Sequence, residues 1–152
     1  MIKKIFTGVV CVVMLVTIGG VMSGCWGGVT EKNAKQKIES TFKTQLPKDA
    51  KIIYHYKNKS SVPTLYFTVF QLENEPTEYL IDNDFGIPWR HSDPEIEKML
   101  KKAFEERYKT DNEEFCPDFT KEYLVKTFSV YARSATMIYF HEKMQLKIWY
   151  NL

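Results

Sequence analysis

The chain has 152 residues, 44% hydrophobic and 26% charged, proportions that exclude wholesale disorder and fit a folded domain. Its formal net charge of +2 comes from Lys3 and Lys4; without them 21 − 2 = 19 basic side chains face 19 acidic ones, a neutral balance lacking the electrostatic footprint of nucleic-acid binding. The cysteines (Cys11, Cys25, Cys116) are too few and too scattered for a disulfide framework or a zinc ribbon, and Gly86 is the one glycine after Gly28, which excludes phosphate-cradling loops, dinucleotide fingerprints and a nucleophile elbow.

At the amino terminus, Lys3 and Lys4 precede a nearly uninterrupted apolar run over residues 5–18, the pattern of an export signal. The positive end stays on the cytoplasmic side and directs the following chain outward. Met22-Ser23-Gly24-Cys25 then resembles the lipobox of bacterial lipoproteins: an aliphatic-type residue, two small residues and a cysteine. The resemblance implies that Cys25 receives a diacylglyceryl group and that cleavage falls between Gly24 and Cys25. Two or more acyl chains, at roughly 0.8 kcal/mol per buried methylene, would hold the protein at the membrane almost permanently. The organisation expected is a signal peptide over 1–24, a lipidated tether over 25–29 and one α+β domain over 30–152. An uncleaved signal anchor is the alternative, because residues 5–22 approach the ~20 needed to span a bilayer. Both readings put the domain outside the cytoplasm.

Thr30 can cap a helix with a thin apolar stripe of Ala34, Ile38, Phe42 and Leu46, ended by Pro47. Residues 51–57 are rich in β-branched and aromatic side chains, 58–61 have a turn composition, and 64–72 carry apolar bulk on both faces. A hairpin is predicted, its second strand central and covered on two sides. Residues 73–76 read as a turn and 78–81 as a short third strand. A helix opens at Ser92 or Asp93 with Pro94 in its first turn, Glu95 positioned for a capping box on Ser92, and Ile96, Met99, Leu100, Ala103, Phe104 and Tyr108 on its buried side. Its outer side pairs Glu97 with Lys101. Residues 119–125 read as a helical turn or a strand entry. Residues 128–132 and 136–141 look extended, with Arg133-Ser134 between them. Met144, Leu146, Ile148 and Tyr150 alternate with Gln145, Lys147 and Trp149, predicting a half-buried final strand. The fold class expected is α+β, an antiparallel sheet of about five or six strands with two main helices packed on it.

No residue stands out as catalytic, and neither a metal site nor a cofactor is expected. His141-Glu142 begins like a zinc-protease helix, but Gln145 stands where the second histidine belongs. His55 reads as a strand residue and His91 as a neighbour of a helix cap. Asp82-Asn83-Asp84-Phe85-Gly86 faintly resembles the start of a calcium loop but lacks its distal acid, and reads as a turn. Cys116 has no histidine or basic neighbour to activate it.

The positive signal is aromatic: 14% of residues, nine of them tyrosines. Tyr54, Tyr56, Tyr66, Tyr131, Tyr139 and Trp149 are either core or, if one sheet face is uncovered, a binding face. The function expected is a non-catalytic interaction module, anchored to the membrane through Cys25, with an envelope protein or cell-wall glycan as partner and no nucleic acid. The alternatives are an envelope hydrolase using Asp or Glu with His91 or His141, and an inhibitor or phage-exclusion lipoprotein.

Overall fold

A computed structural model describes residues 28–81, 89–106 and 113–152. The residues that resemble a lipobox, the segment 82–86 expected to be a turn, and Tyr108 lie outside the described residues, as do the side chains of Ala103 and Phe104. The fold is α+β: a six-stranded antiparallel sheet with helices. In chain order a 3-10 turn, Glu31–Asn33, leads into α1, Ala34–Phe42, followed by β1, Lys51–Asn58, and β2, Leu65–Gln71. Next come α2, Thr77–Ile81, β3, Arg90–His91, and α3, Pro94–Glu106. A 3-10 turn, Glu113–Phe115, precedes β4, Tyr123–Val130, β5, Arg133–Phe140, and β6, Gln145–Asn151. The strand order is β1-β2-β6-β5-β4-β3. The last strand in sequence is thus central, because β5 and β2 each take one of its edges.

Alternation along each strand divides the core into two layers. On one face α1 lays Ala34, Ile38 and Phe42 over Tyr66, Phe70, Met137, Tyr139, Ile148 and Tyr150. On the other, Phe67, Val69, Val125, Ile138, Phe140 and Trp149 pack with Leu100 of α3 and with Phe115. Each fully buried Phe, Leu or Ile side chain contributes roughly 2 kcal/mol of apolar burial, so both layers hold the sheet.

Several expectations are corrected. α1 stops at Phe42, a turn before Pro47, because Lys43 takes φ 54° in the left-handed region; Leu46 is buried from the following loop, its amide donating to Glu39 Oε1 at 3.0 Å. The segment over 78–81 is helical, begun at Pro76, whose carbonyl accepts from the Leu80 amide at 3.0 Å. Asp93 rather than Ser92 caps α3, its Oδ1 accepting from the amides of Glu95 and Ile96, both at 3.2 Å. Met99 is 52% exposed, since the contact with the sheet runs through the i, i+4 pair Ile96 and Leu100 and Met99 sits a step round the helix. The β4–β5 turn falls at Tyr131-Ala132, where Tyr131 has φ 58°, two residues before Arg133-Ser134. β6 is buried on both faces, not one, as expected of a strand with two neighbours and a layer on each side. Val29, assigned to the tether, is already in the core.

Candidate functional site

At one end of the sheet, where β1 begins and β2 and β5 finish, a loop over 45–48 and the first turn of α2 with the two residues before it, 75–79, line a cleft of about 550 Å³. Its size falls in the range of small-molecule sites. The loop carrying Glu75 is held by Asp49, whose Oδ2 accepts from the amides of Glu73 and Asn74 at 3.0 and 2.9 Å. Burial acts to raise the Asp49 carboxyl, but these backbone donors outweigh it and hold the group below the usual aspartate value. Lys51 pairs with Glu73 beside it, and that hydrogen bond and charge push the ammonium above the usual lysine range.

Glu75 is the charged centre of this end. Its Oε2 accepts from the Tyr139 hydroxyl at 2.8 Å and its Oε1 lies 2.9 Å from His141 Nδ1. Tyr139 lies near the end of β5 and His141 just past it, i and i+2, and their rings meet at 4.8 Å. Burial, then the hydrogen bond and charge of Glu75, push the Tyr139 phenol far above its usual value. This tyrosine is therefore a neutral donor at physiological pH and not a proton acceptor. The histidine–carboxylate pair at the rim of a cleft is the one such pairing among the described residues. Sequence reading singled out Tyr139 and His141 separately and missed Glu75; the i, i+2 spacing of the ring pair was the available signal.

On the opposite face Lys147 is 1% exposed and, among the described residues, pairs with no carboxylate in hydrogen-bonding distance. Its Nζ donates to the carbonyls of Phe115 and Cys116, each at 3.0 Å, and lies 5.1 Å from the centre of the Phe140 ring. Burial, with a contribution from the Lys143 charge, lowers this lysine to a pKa of about 8. It staples the turn at 113–115 to the sheet.

The six aromatic residues considered for a binding face are divided between the two faces of the sheet and one turn. Tyr66 and Tyr139 are buried under α1; Trp149 is buried in the opposite layer, with Tyr54 and Tyr56 half-buried beside it. Tyr131 is fully exposed at the β4–β5 turn. Both faces of the sheet carry a packed layer, so alternating aromatics here serve two cores. The histidines do not converge either: His55 bonds Thr68 through Nδ1 at 2.9 Å on β1, His91 is exposed on β3, and His141 meets Glu75. Burial lowers the His55 pKa, which keeps that ring neutral. Among the described residues no group of three His, Cys, Asp or Glu side chains could hold a metal ion, and no helix is long and apolar enough to cross a membrane.

Compared with protein-family models, curated proteins and solved structures, the chain matches none.

Proposed function

We propose that this protein is a lipid-anchored, non-catalytic interaction module, held outside the cytoplasmic membrane through Cys25 and presenting its cleft end to an envelope protein or cell-wall glycan. The observation that carries the reading is the opposition of two ends. The chain following the lipobox enters the fold beside Lys57, next to the β1–β2 loop, since a Cβ on Gly28 would lie 3.4 Å from Lys57 Nζ. The cleft lies at the other end of the same strands, seven or eight residues away along each of them, roughly 25 Å at ~3.3 Å per residue. A module anchored at one end and concave at the other directs its recognition surface away from the bilayer. The engagement of both Glu75 oxygens, by Tyr139 and His141, supports binding over catalysis, since it makes the carboxylate a fixed feature of the rim.

The test has two parts. Intact-mass spectrometry of the protein made in a bacterial host should show a chain beginning at Cys25 with its diacylglyceryl addition. A photo-crosslinking residue at Glu78, in the cleft, should give adducts with envelope proteins or purified sacculi that a probe at Lys59 does not give. An unmodified thiol at Cys25 would remove the anchor, and equal or absent adducts from both probes would remove the cleft as the contact surface.

A second reading, an envelope hydrolase, is favoured by one observation, the His141–Glu75 pair at the rim. It requires turnover of a cell-wall or ester substrate that Glu75→Gln abolishes. Without such turnover the pair is a structural clasp.

A further inference from the structure

The end of the sheet opposite the cleft combines features that its packing does not require. The register brings three chain segments together there: Asn58 pairs with Leu65, Leu65 with Asn151, and the Asn151 side chain accepts from the Ser134 amide next to the β4–β5 turn. Two large apolar side chains project from this end, Val62 in the β1–β2 loop and Tyr131 in the β4–β5 turn, each 100% exposed. Tyr131 holds φ 58° at the first position of a two-residue hairpin turn, where glycine is the residue that costs least. A bulky side chain kept fully exposed in that conformation makes no stabilising contact to offset its strain, which points to a role outside the fold. Charge is asymmetric along the strands as well. Lys32, Lys57, Lys59 and Arg133 lie at this end with Glu31, whereas at the other end Asp49, Glu73, Glu75, Asp118 and Glu142 are interleaved with Lys48, Lys51, Lys121 and Lys143.

We infer that this end, with Val62 and Tyr131 at its tips and Lys59 and Arg133 beside them, is a membrane-contact surface that seats on anionic phospholipid headgroups. The inference rests on lipidation at Cys25 and goes further, by fixing which surface faces the bilayer. The connection is short: Cys25 and Gly28 are three Cα–Cα steps apart, at most about 11 Å at ~3.8 Å per step. Gly28 itself is fixed, its carbonyl accepting from Asn33 Nδ2 at 3.3 Å and Val29 being buried in the core. A sulfur whose acyl chains lie in the membrane therefore holds the Gly28 end of the domain within a headgroup-layer distance of it. Tyrosine at the headgroup level and basic side chains toward anionic lipid are the residue types that such a boundary selects. Each basic residue near an anionic surface adds to the attraction, and the far end, where lysines pair with the acids, offers no comparable basic excess, so the field favours one orientation.

The experiment uses the full chain as lipidated by a bacterial host, in vesicles of phosphatidylcholine and phosphatidylglycerol at roughly three to one. With Cys116→Ala as background, nitroxide labels are placed by Val62→Cys, Tyr131→Cys and, at the far end, Glu142→Cys. Collision with oxygen is compared with collision with an aqueous nickel chelate. Labels at 62 and 131 should favour oxygen and the label at 142 should favour nickel. Adding Lys59→Glu with Arg133→Glu should return the first two to aqueous values while the mass of the lipidated chain stays unchanged apart from the substitutions. All three labels in water on a chain carrying its lipid would overturn the contact surface and leave the anchor standing. Dipolar broadening between labels at 62 or 131 of different copies would overturn it in favour of self-association. A chain without lipid on Cys25 would overturn the anchor and the surface together.

Discussion

Lys147 Nζ donates to the Phe115 carbonyl at 3.0 Å from a position that is 1% exposed, and its second donor meets the carbonyl of Cys116. An ammonium has three donors and a neutral amine has two, so the neutral form matches the two carbonyls as well as the charged form does. Burial, with the Lys143 charge, makes the folded protein bind this proton less tightly than the unfolded chain, with a pKa of about 8 against 10.5. Between those values the unfolded state holds more protons, and stability rises with pH; below about 8 both states are protonated and the cost of burying the charge is fully present. The slope should approach 1.4 kcal/mol per pH unit, for a gain on the order of 3 kcal/mol across the window. Urea denaturation at pH 7.5 and 9.5 checks this, with Lys147→Met as the reference lacking the titration. A wild type whose stability relative to Lys147→Met is flat over this range contradicts the assignment.

Phe42 joins α1 to the sheet, edge-on to Phe128 at 5.4 Å and to Tyr150 at 6.4 Å, with no exposed surface. Phe42→Ala removes a fully buried ring from this layer and should cost about 3–5 kcal/mol. Chemical denaturation reads the loss. A cost under about 1 kcal/mol would mean that α1 is not the lid of that layer.

Lys43 ends α1 in the left-handed region at φ 54° and its side chain is exposed. Lys43→Gly relieves the steric cost of a Cβ there, offset in part by the greater freedom of glycine in the unfolded chain, and should stabilise by about 0.5–1 kcal/mol. Thermal denaturation should show a corresponding rise in midpoint, and a fall would place the helix end elsewhere.

Tyr139→Phe leaves the ring in the core but takes away the hydroxyl that Glu75 Oε2 accepts from at 2.8 Å. The hydrogen bond is to a charged group, yet Glu75 is partly exposed, so water replaces some of it and the expected loss is about 1–2 kcal/mol. Glu75→Gln keeps an acceptor and should cost less than Tyr139→Phe at neutral pH. Equal losses from the two variants, or none from either, would show that the clasp does not hold the cleft loop.

Local spacing carried much of this fold. The four-residue recurrence of Ala34, Ile38 and Phe42 marked a helix with one buried stripe, and all three side chains are fully buried. The two-faced apolar run over 64–72 marked a central strand, and β2 has β1 and β6 on its edges and a layer on each face. Pro94 and Asp93 marked the start of α3, and the Glu97–Lys101 pair forms at 2.5 Å. These features follow from the helical and extended repeat, which determine where a side chain points relative to its neighbours in sequence.

What the repeat does not determine is what waits in that direction. Lys147 alternates with Leu146 and Ile148 as an outward residue would, and only the packing of residues 113–116 against β6 encloses it. Tyr66, Tyr139 and Trp149 carry the pattern of a possible open face, and two separate layers cover them. Glu75 meets Tyr139 and His141 across 64 and 66 residues, a separation at which no spacing rule applies. Chain order made the domain α+β. The position of β6 between β2 and β5, and with it the burial of a lysine, the cleft at one end and the exposed Val62 and Tyr131 at the other, came from long-range pairing, because burial depends on every element that closes over a residue and not on its own segment.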